Sequence, residues 1–142
     1  MFGKKEKEVL VDHRMAYCVS LTTRRHGVYI KREEVEKKFH EEDPPKPFRE
    51  LNAFLAEKKL EASLINISID DFKDKNFVFP CAVPFSNGQS IIALGVIKKD
   101  DEYFIKYLDP LDPQARQQEV GLNEFEKLWK NIVFSVNALR GT

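Results

Sequence analysis

The spacing of apolar positions changes along the chain, from a helical period before about residue 60 to strand-like runs beyond it. The densest runs lie in FVFPCAVPFSNGQSIIALGVIKKDDEYFIKYLDP, residues 77–110. Segments 77–85, 91–97 and 103–108 are rich in Val, Ile, Phe and Tyr, side chains that suit a pleated surface. Ser86-Asn87-Gly88 tolerates positive φ, and Lys98-Lys99-Asp100-Asp101-Glu102 is too polar to bury. The three segments are therefore predicted to form an antiparallel meander. It ends at Asp109-Pro110, where proline stops the ladder and leaves a carboxylate at a strand end.

Upstream, Met15, Cys18, Val19 and Thr22 recur at helical spacing, and Arg24-Arg25-His26 before Gly27 reads as a basic last turn with its stop. This predicts a helix over 13–25. A second, largely solvated helix is expected over 31–39, where Val35 and Phe39 are its apolar members and the mixed charges form surface pairs. Pro44, Pro45 and Pro47 mark a loop, and Phe48, Leu51, Phe54, Leu55 and Leu60 form the stripe of a third helix with Asn52 on its outer side. Residues 61–67 alternate as a strand, and 68–72 read as a capped helical turn. Beyond Pro110 the pattern predicts a polar loop over 111–120, a helix over 121–130 carrying Leu122, Phe125, Leu128 and Trp129, and a closing strand over 132–136. The order implies an α+β fold, its N-terminal helices packed on one face of a mostly antiparallel sheet.

A length of 142 residues fits a single domain spanning 1–142. With 23 basic and 23 acidic residues the net charge is zero, so no global field draws the chain to nucleic acid or to an anionic bilayer. Two cysteines are too few for a disulfide framework, and no apolar stretch has the length of a secretory signal or a membrane span. A soluble cytosolic domain is expected.

Candidate chemistry is sparse. Cys18 lies inside the first predicted helix and Cys81 inside a strand, where a thiol is more often packing than nucleophile. None of His13, His26 and His40 falls in the meander. On one helix Cys18 and His26 would be about 12 Å apart at ~1.5 Å rise per residue, too far for proton transfer. No CxxC, HExxH or phosphate-binding GxxxxGK[ST] motif occurs, and the acidic pairs Asp70-Asp71 and Asp100-Asp101 sit on turns, so neither metal nor cofactor is predicted.

Several pieces in order carry a resemblance: Val11-Asp12 leading into the first helix and His26-Gly27 ending it, FRELNAFLAEKKLEA at 48–62, Phe79-Pro80-Cys81-Ala82-Val83, Asn87-Gly88, Tyr107-Leu108-Asp109-Pro110, and Asn123-Glu124-Phe125 with Trp129. Together they make the chain resemble the papain-like domain at the N-terminus of bacterial ABC exporters, the bacteriocin leader-peptidase family. The resemblance implies a papain-like cysteine-peptidase fold. It also implies where a triad would stand. The nucleophile position falls on Arg14 counted back from His26-Gly27, or on His13 counted from Asp12. The base position falls on Ser90 or Gln89, the oxyanion donor on Glu8 or Lys7, and the orienting carboxylate on Asp109. Only Asp109 suits its role, so Arg14, Ser90 and Asp109 are expected as vestigial positions, with Arg14 pairing with Asp109.

Such degeneracy resembles the haemolysin-exporter type. For this chain it implies a non-catalytic, cytosolic recognition module of a type 1 secretion ABC exporter, lying at the inner face of the bacterial inner membrane. Its partners would be unfolded secreted cargo (a toxin, adhesin or other repeat-rich protein) and the exporter's membrane and nucleotide-binding domains, with no nucleic acid. Tyr17, Phe85, Tyr103 and Trp129 are the candidate cargo contacts. The alternatives are a free-standing peptide-binding adaptor and an active cysteine peptidase using Cys18 or Cys81.

Overall fold

The computed structural model describes residues 9–74, 77–86, 89–112, 114 and 116–139. The first helix, α1 (His13–Thr22), starts where the Asp12 carboxylate accepts the Met15 N–H at 2.8 Å. It does not run on through residue 25. Ser20, Thr22 and Thr23 turn their hydroxyls back onto the carbonyls of Ala16, Val19 and Ser20 at 2.7–2.8 Å, and a 3-10 turn (Thr23–His26) takes over until Gly27 closes it at φ 76°. A two-residue strand β1 (Leu10–Val11) pairs with β2 (Lys46–Pro47), and α2 (Arg32–Lys38) and α3 (Phe48–Ala56) complete the helical half.

The strands that follow are β3 (Leu60–Asn66), β4 (Cys81–Pro84), β5 (Ser90–Lys99), β6 (Glu102–Leu108), β7 (Gln117–Gly121) and β8 (Ile132–Ala138), with short helices α4 (Ile69–Lys73) and α5 (Leu122–Leu128) between them. Every pairing is antiparallel, in the order β3-β8-β4-β5-β6-β7. The chain's last strand is thus threaded between β3 and β4.

Several boundaries depart from expectation, each for a local reason. Leu60 is not in α3 but opens β3, because Lys59 takes a left-handed φ of 63° that no helix continues. Asn52 is not simply a solvent-facing residue of α3. Its amide exchanges bonds of 2.7 and 3.0 Å with the backbone of Ala62, occupying part of the β3 edge. Of the first meander segment only Cys81–Pro84 is strand, bracketed by prolines, and Phe77 and Phe79 instead meet the Phe72 ring edge-on. Asn87 and Gly88 lie outside the described residues, whereas the β5–β6 connection is a two-residue turn with Asp100 and Asp101 at φ 50° and 68°. The predicted loop over 111–120 contains β7, whose Gln117-Gln118-Glu119 shows no apolar alternation because it is a polar edge.

Both faces of the sheet are covered, not one as expected from the order of elements. Ala82, Ile92, Phe134 and Val136 point to α1, α2 and α3. Their neighbours Cys81, Val83, Ile91, Ala93 and Val133 point the other way, to Phe72 of α4, Phe125 of α5 and Trp129. Phe72 is fully buried and touches the rings of Phe77, Phe79, Phe125 and Trp129. Among the described residues no helix is long and apolar enough to cross a membrane.

Phe72→Ala is expected to cost about 3–5 kcal/mol in urea unfolding, against within about 0.5 kcal/mol for Tyr29→Ala on the surface. A loss below about 1 kcal/mol at Phe72 would mean the second layer is not packed as described.

Candidate functional site

Helix α1 packs on β4, β5 and β8, and its first turn reaches the residue that follows β6. That geometry brings Arg14, on the first turn, to Asp109, the residue after β6. Arg14 Nη1 donates to Asp109 Oδ1 at 2.9 Å, the pairing expected from sequence. The same oxygen accepts the Leu111 N–H at 3.0 Å, which fixes the carboxylate through a local turn. The two side chains are 25% and 33% exposed, so the pair is partly shielded but not dry.

Beside it lies a recess of about 170 Å³, walled by Phe85, Tyr107, Phe125 and Val120 and rimmed by Arg14, Asp109, Gln89 and Gln118. Tyr107 Oη donates to Gln118 Oε1 at 3.1 Å across its mouth. Ser90, the first residue of β5, stands opposite Pro84, is 1% exposed and has no hydrogen-bond partner for its hydroxyl among the described residues. His13 is also buried, stacked on Tyr17 with ring centroids 6.3 Å apart and its Nε2 3.8 Å from the Glu36 carboxylate. Glu8 and Lys7, where the oxyanion donor would stand, lie outside the described residues.

Neither cysteine is poised for nucleophilic chemistry. Cys18, four residues after Arg14 and therefore one turn along the same face, is fully buried. Burial pushes its thiol pKa far up, with Asp109 and Asp12 adding to the effect and Arg14 only partly opposing it. Cys81 is pushed up to about 12 by burial, opposed in part by Arg25. Both are thiols at neutral pH, and the thiolate is the reactive form. The histidines serve elsewhere: His26 Nε2 donates to the Val136 carbonyl at 2.8 Å, and His40 Nδ1 accepts the Glu42 N–H at 3.1 Å. Among the described residues no group of three or more His, Cys, Asp and Glu side chains comes together as a metal set.

The four aromatics expected to contact cargo do not share one surface. Phe85 walls the recess and meets Phe125 edge-on at 5.6 Å. Trp129 pairs with Phe85 through the backbone, but it is 6% exposed and its Nε1 donates to the Ile132 carbonyl at 2.9 Å. It is a core residue that backs the recess rather than a contact residue. Tyr17 lies under the Arg32 guanidinium, 5.4 Å from the ring centroid. Tyr103 sits between Lys73 and Lys98, at 4.6 and 5.6 Å. Sequence reasoning missed Tyr107, Gln118 and Phe125 as parts of the recess. Tyr107 was signalled by its place two residues before Asp109, whereas Gln118 lies in a strand with no apolar pattern.

No protein-family model matches the chain, and no curated protein sequence matches it. Solved structures do. The peptidase domain of Streptococcus ComA, a bifunctional ABC transporter involved in a quorum-sensing pathway, superimposes with a TM-score of 0.69 at 12% identity, over 94% of this chain and 100% of that one. A double-glycine-motif protease from an AMS/PCAT transporter, in complex with its leader peptide, gives 0.67 at 13% identity over 93% and 92%. The N-terminal peptidase C39-like domain of a toxin secretion ATP-binding protein from Vibrio parahaemolyticus gives 0.63 at 13% identity over 94% and 99%. At these identities the likeness speaks to architecture: the chain has the papain-like fold of C39 peptidase-like domains.

In a double-mutant cycle of Arg14→Met and Asp109→Asn, the coupling energy from chemical unfolding is expected to be about 1 kcal/mol, and a value near zero would remove the ion pair from the account. Because burial raises both folded-state thiol pKa values, the unfolded chain loses its thiol protons first as pH rises. Stability is therefore expected to fall above about pH 8.5, the free-thiol value, and less so in a Cys18→Ala/Cys81→Ala protein. Rapid alkylation of either cysteine in the native protein near pH 6 would contradict the burial.

Proposed function

We propose that this chain is a non-catalytic domain of papain-like fold that captures extended, unfolded polypeptide. The observation that carries this reading is the Arg14–Asp109 ion pair. In the resemblance drawn from sequence, Arg14 or His13 stands at the nucleophile position and Ser90 or Gln89 at the base position. Nucleophilic peptide cleavage needs a thiolate or activated hydroxyl, a base able to accept its proton near neutral pH, and a group that orients the base. A guanidinium stays protonated and has no lone pair to attack a carbonyl. The carboxylate that would orient a base is engaged by that guanidinium instead. The buried, protonated Cys18 and Cys81 weigh against the peptidase alternative.

Capture without cleavage asks for less. Phe85 and Tyr107 supply apolar and aromatic surface for one side chain of an extended segment, over a floor formed by the buried Phe125, and the Gln118 amide at the rim suits its backbone groups. Of the similar structures, one holds a leader peptide and another is the N-terminal domain of a toxin secretion ATP-binding protein. We extend this to the present chain as one domain over 1–142, serving as the cargo-recognition module of a type 1 secretion ABC exporter. It would act at the cytoplasmic face of a bacterial inner membrane, and membrane and nucleotide-binding domains would supply the pore and the energy.

The test is an NMR titration with an unfolded, calcium-free repeat-rich segment of a secreted protein, with its folded, calcium-bound form as control. Expected are shifts for Phe85, Tyr107, Gln118 and their neighbours with the unfolded form alone. Shifts with the folded form would favour a free-standing adaptor for structured partners, and cleavage of the segment would overturn the non-catalytic reading.

A further inference from the structure

A second recess lies at the opposite end of α1 from Arg14, where the sheet comes apart. Strand β8 is joined to β4 through one rung, Ala82 with Phe134. The next rung in that register would set Pro80 against Val136, and proline has no N–H to donate. The Val136 carbonyl is taken instead by His26 Nε2 at 2.8 Å and Arg25 Nη2 at 3.3 Å. With the ladder ended, a cavity of about 260 Å³ opens between the strands, walled by Ile65, Phe77, Val78 and Val133 with Arg25 at its rim.

Three features define what such a cavity accepts. Its walls are apolar, and Val78 and Ile65 are 54% and 39% exposed, so occupation would remove hydrocarbon from water. Its size is below the roughly 300–1,000 Å³ usual for drug-sized ligands, which suits a single residue-sized group. Finally, the Arg25 side chain is exposed, and the partner of its guanidinium among the described residues is a carbonyl at long range, which leaves it open to an anion. A carboxylate is the complement that a guanidinium binds best, through paired charge-assisted bonds.

We propose that this recess binds an apolar carboxylate: a Leu- or Phe-sized group in the cavity with its carboxylate on Arg25. The last residue of a polypeptide and a free apolar acid share this chemistry. The site is separate from the Arg14–Asp109 recess and does not depend on the function proposed for it.

The test uses the whole chain in an NMR titration with N-acetyl-L-phenylalanine, its amide, and an octapeptide ending in a free-acid phenylalanine. The acid is expected to shift the signals of Arg25, Ile65, Val78 and Val133. The amide should bind at least about tenfold more weakly, as should the acid to Arg25→Met, because each loses the charge-assisted pair. Val78→Asp, a change at a half-exposed position, should weaken binding without unfolding the domain. Tighter binding of the octapeptide would assign the site to chain ends, and equal or tighter binding of the free acid to small carboxylates. Absence of binding by both acids, equal affinity for acid and amide, unchanged binding by Arg25→Met, or shifts confined to the Arg14 recess would each overturn the proposal.

Discussion

Burial of the central strands β4 and β5 on both faces is the constraint from which the rest of the architecture follows. Ile92 and Ala82 need cover on one side, and Ile91, Ala93 and Val83 need it on the other. Helix α1 supplies the first by lying across β4, β5 and β8, with Ala16, Cys18 and Val19 packed against the sheet. Phe72, Phe125 and Trp129 supply the second. Because α1 is pinned along its length by this packing, the position of its first turn is not free. Arg14 is delivered to the end of β6, and at the other end the 3-10 turn is delivered to the gap between β4 and β8.

The two ends of α1 therefore each lead to an arginine. At the first, Arg14 meets a carboxylate held by the Leu111 N–H, so charge is balanced within the chain. At the second, the exposed Arg25 reaches a carbonyl that Pro80 leaves without its ladder partner, at the rim of an apolar cavity. The contrast is chemically informative. A closed pair offers little as a reagent, which agrees with the proposed capture through shape and apolar contact in the neighbouring aromatic recess. An exposed guanidinium beside hydrocarbon is the basis of the apolar-carboxylate site proposed there.

Much of this was legible in the chain itself. The helical period of Met15, Cys18, Val19 and Thr22 marked α1, the runs of Val, Ile and Phe marked the meander, and Asp109-Pro110 marked the end of β6. The pairing of Arg14 with Asp109 could be expected from matched positions. Other features were hidden for physical reasons. The consecutive Ile91-Ile92 is the signature of burial on both faces, yet a short apolar run gives no direction for its cover. Strand β7 is held by its ladder to β6 rather than by buried side chains, so its sequence is polar. The end of α1 depended on where three hydroxyls turned, and the cavity depended on one missing N–H in a register set by β8, a strand far away in sequence. Trp129 illustrates the converse error: an aromatic suited to binding was needed for packing.

The measurement that bears most directly on the proposed capture without cleavage is a single assay reading both events. An extended peptide carrying a donor and an acceptor at its two ends is incubated with the domain while anisotropy and intramolecular energy transfer are followed together. The account predicts that anisotropy rises and saturates while energy transfer between the ends survives prolonged incubation. Loss of energy transfer at a rate that scales with domain concentration, and that disappears in Cys18→Ala or Cys81→Ala, would contradict it and restore the peptidase reading.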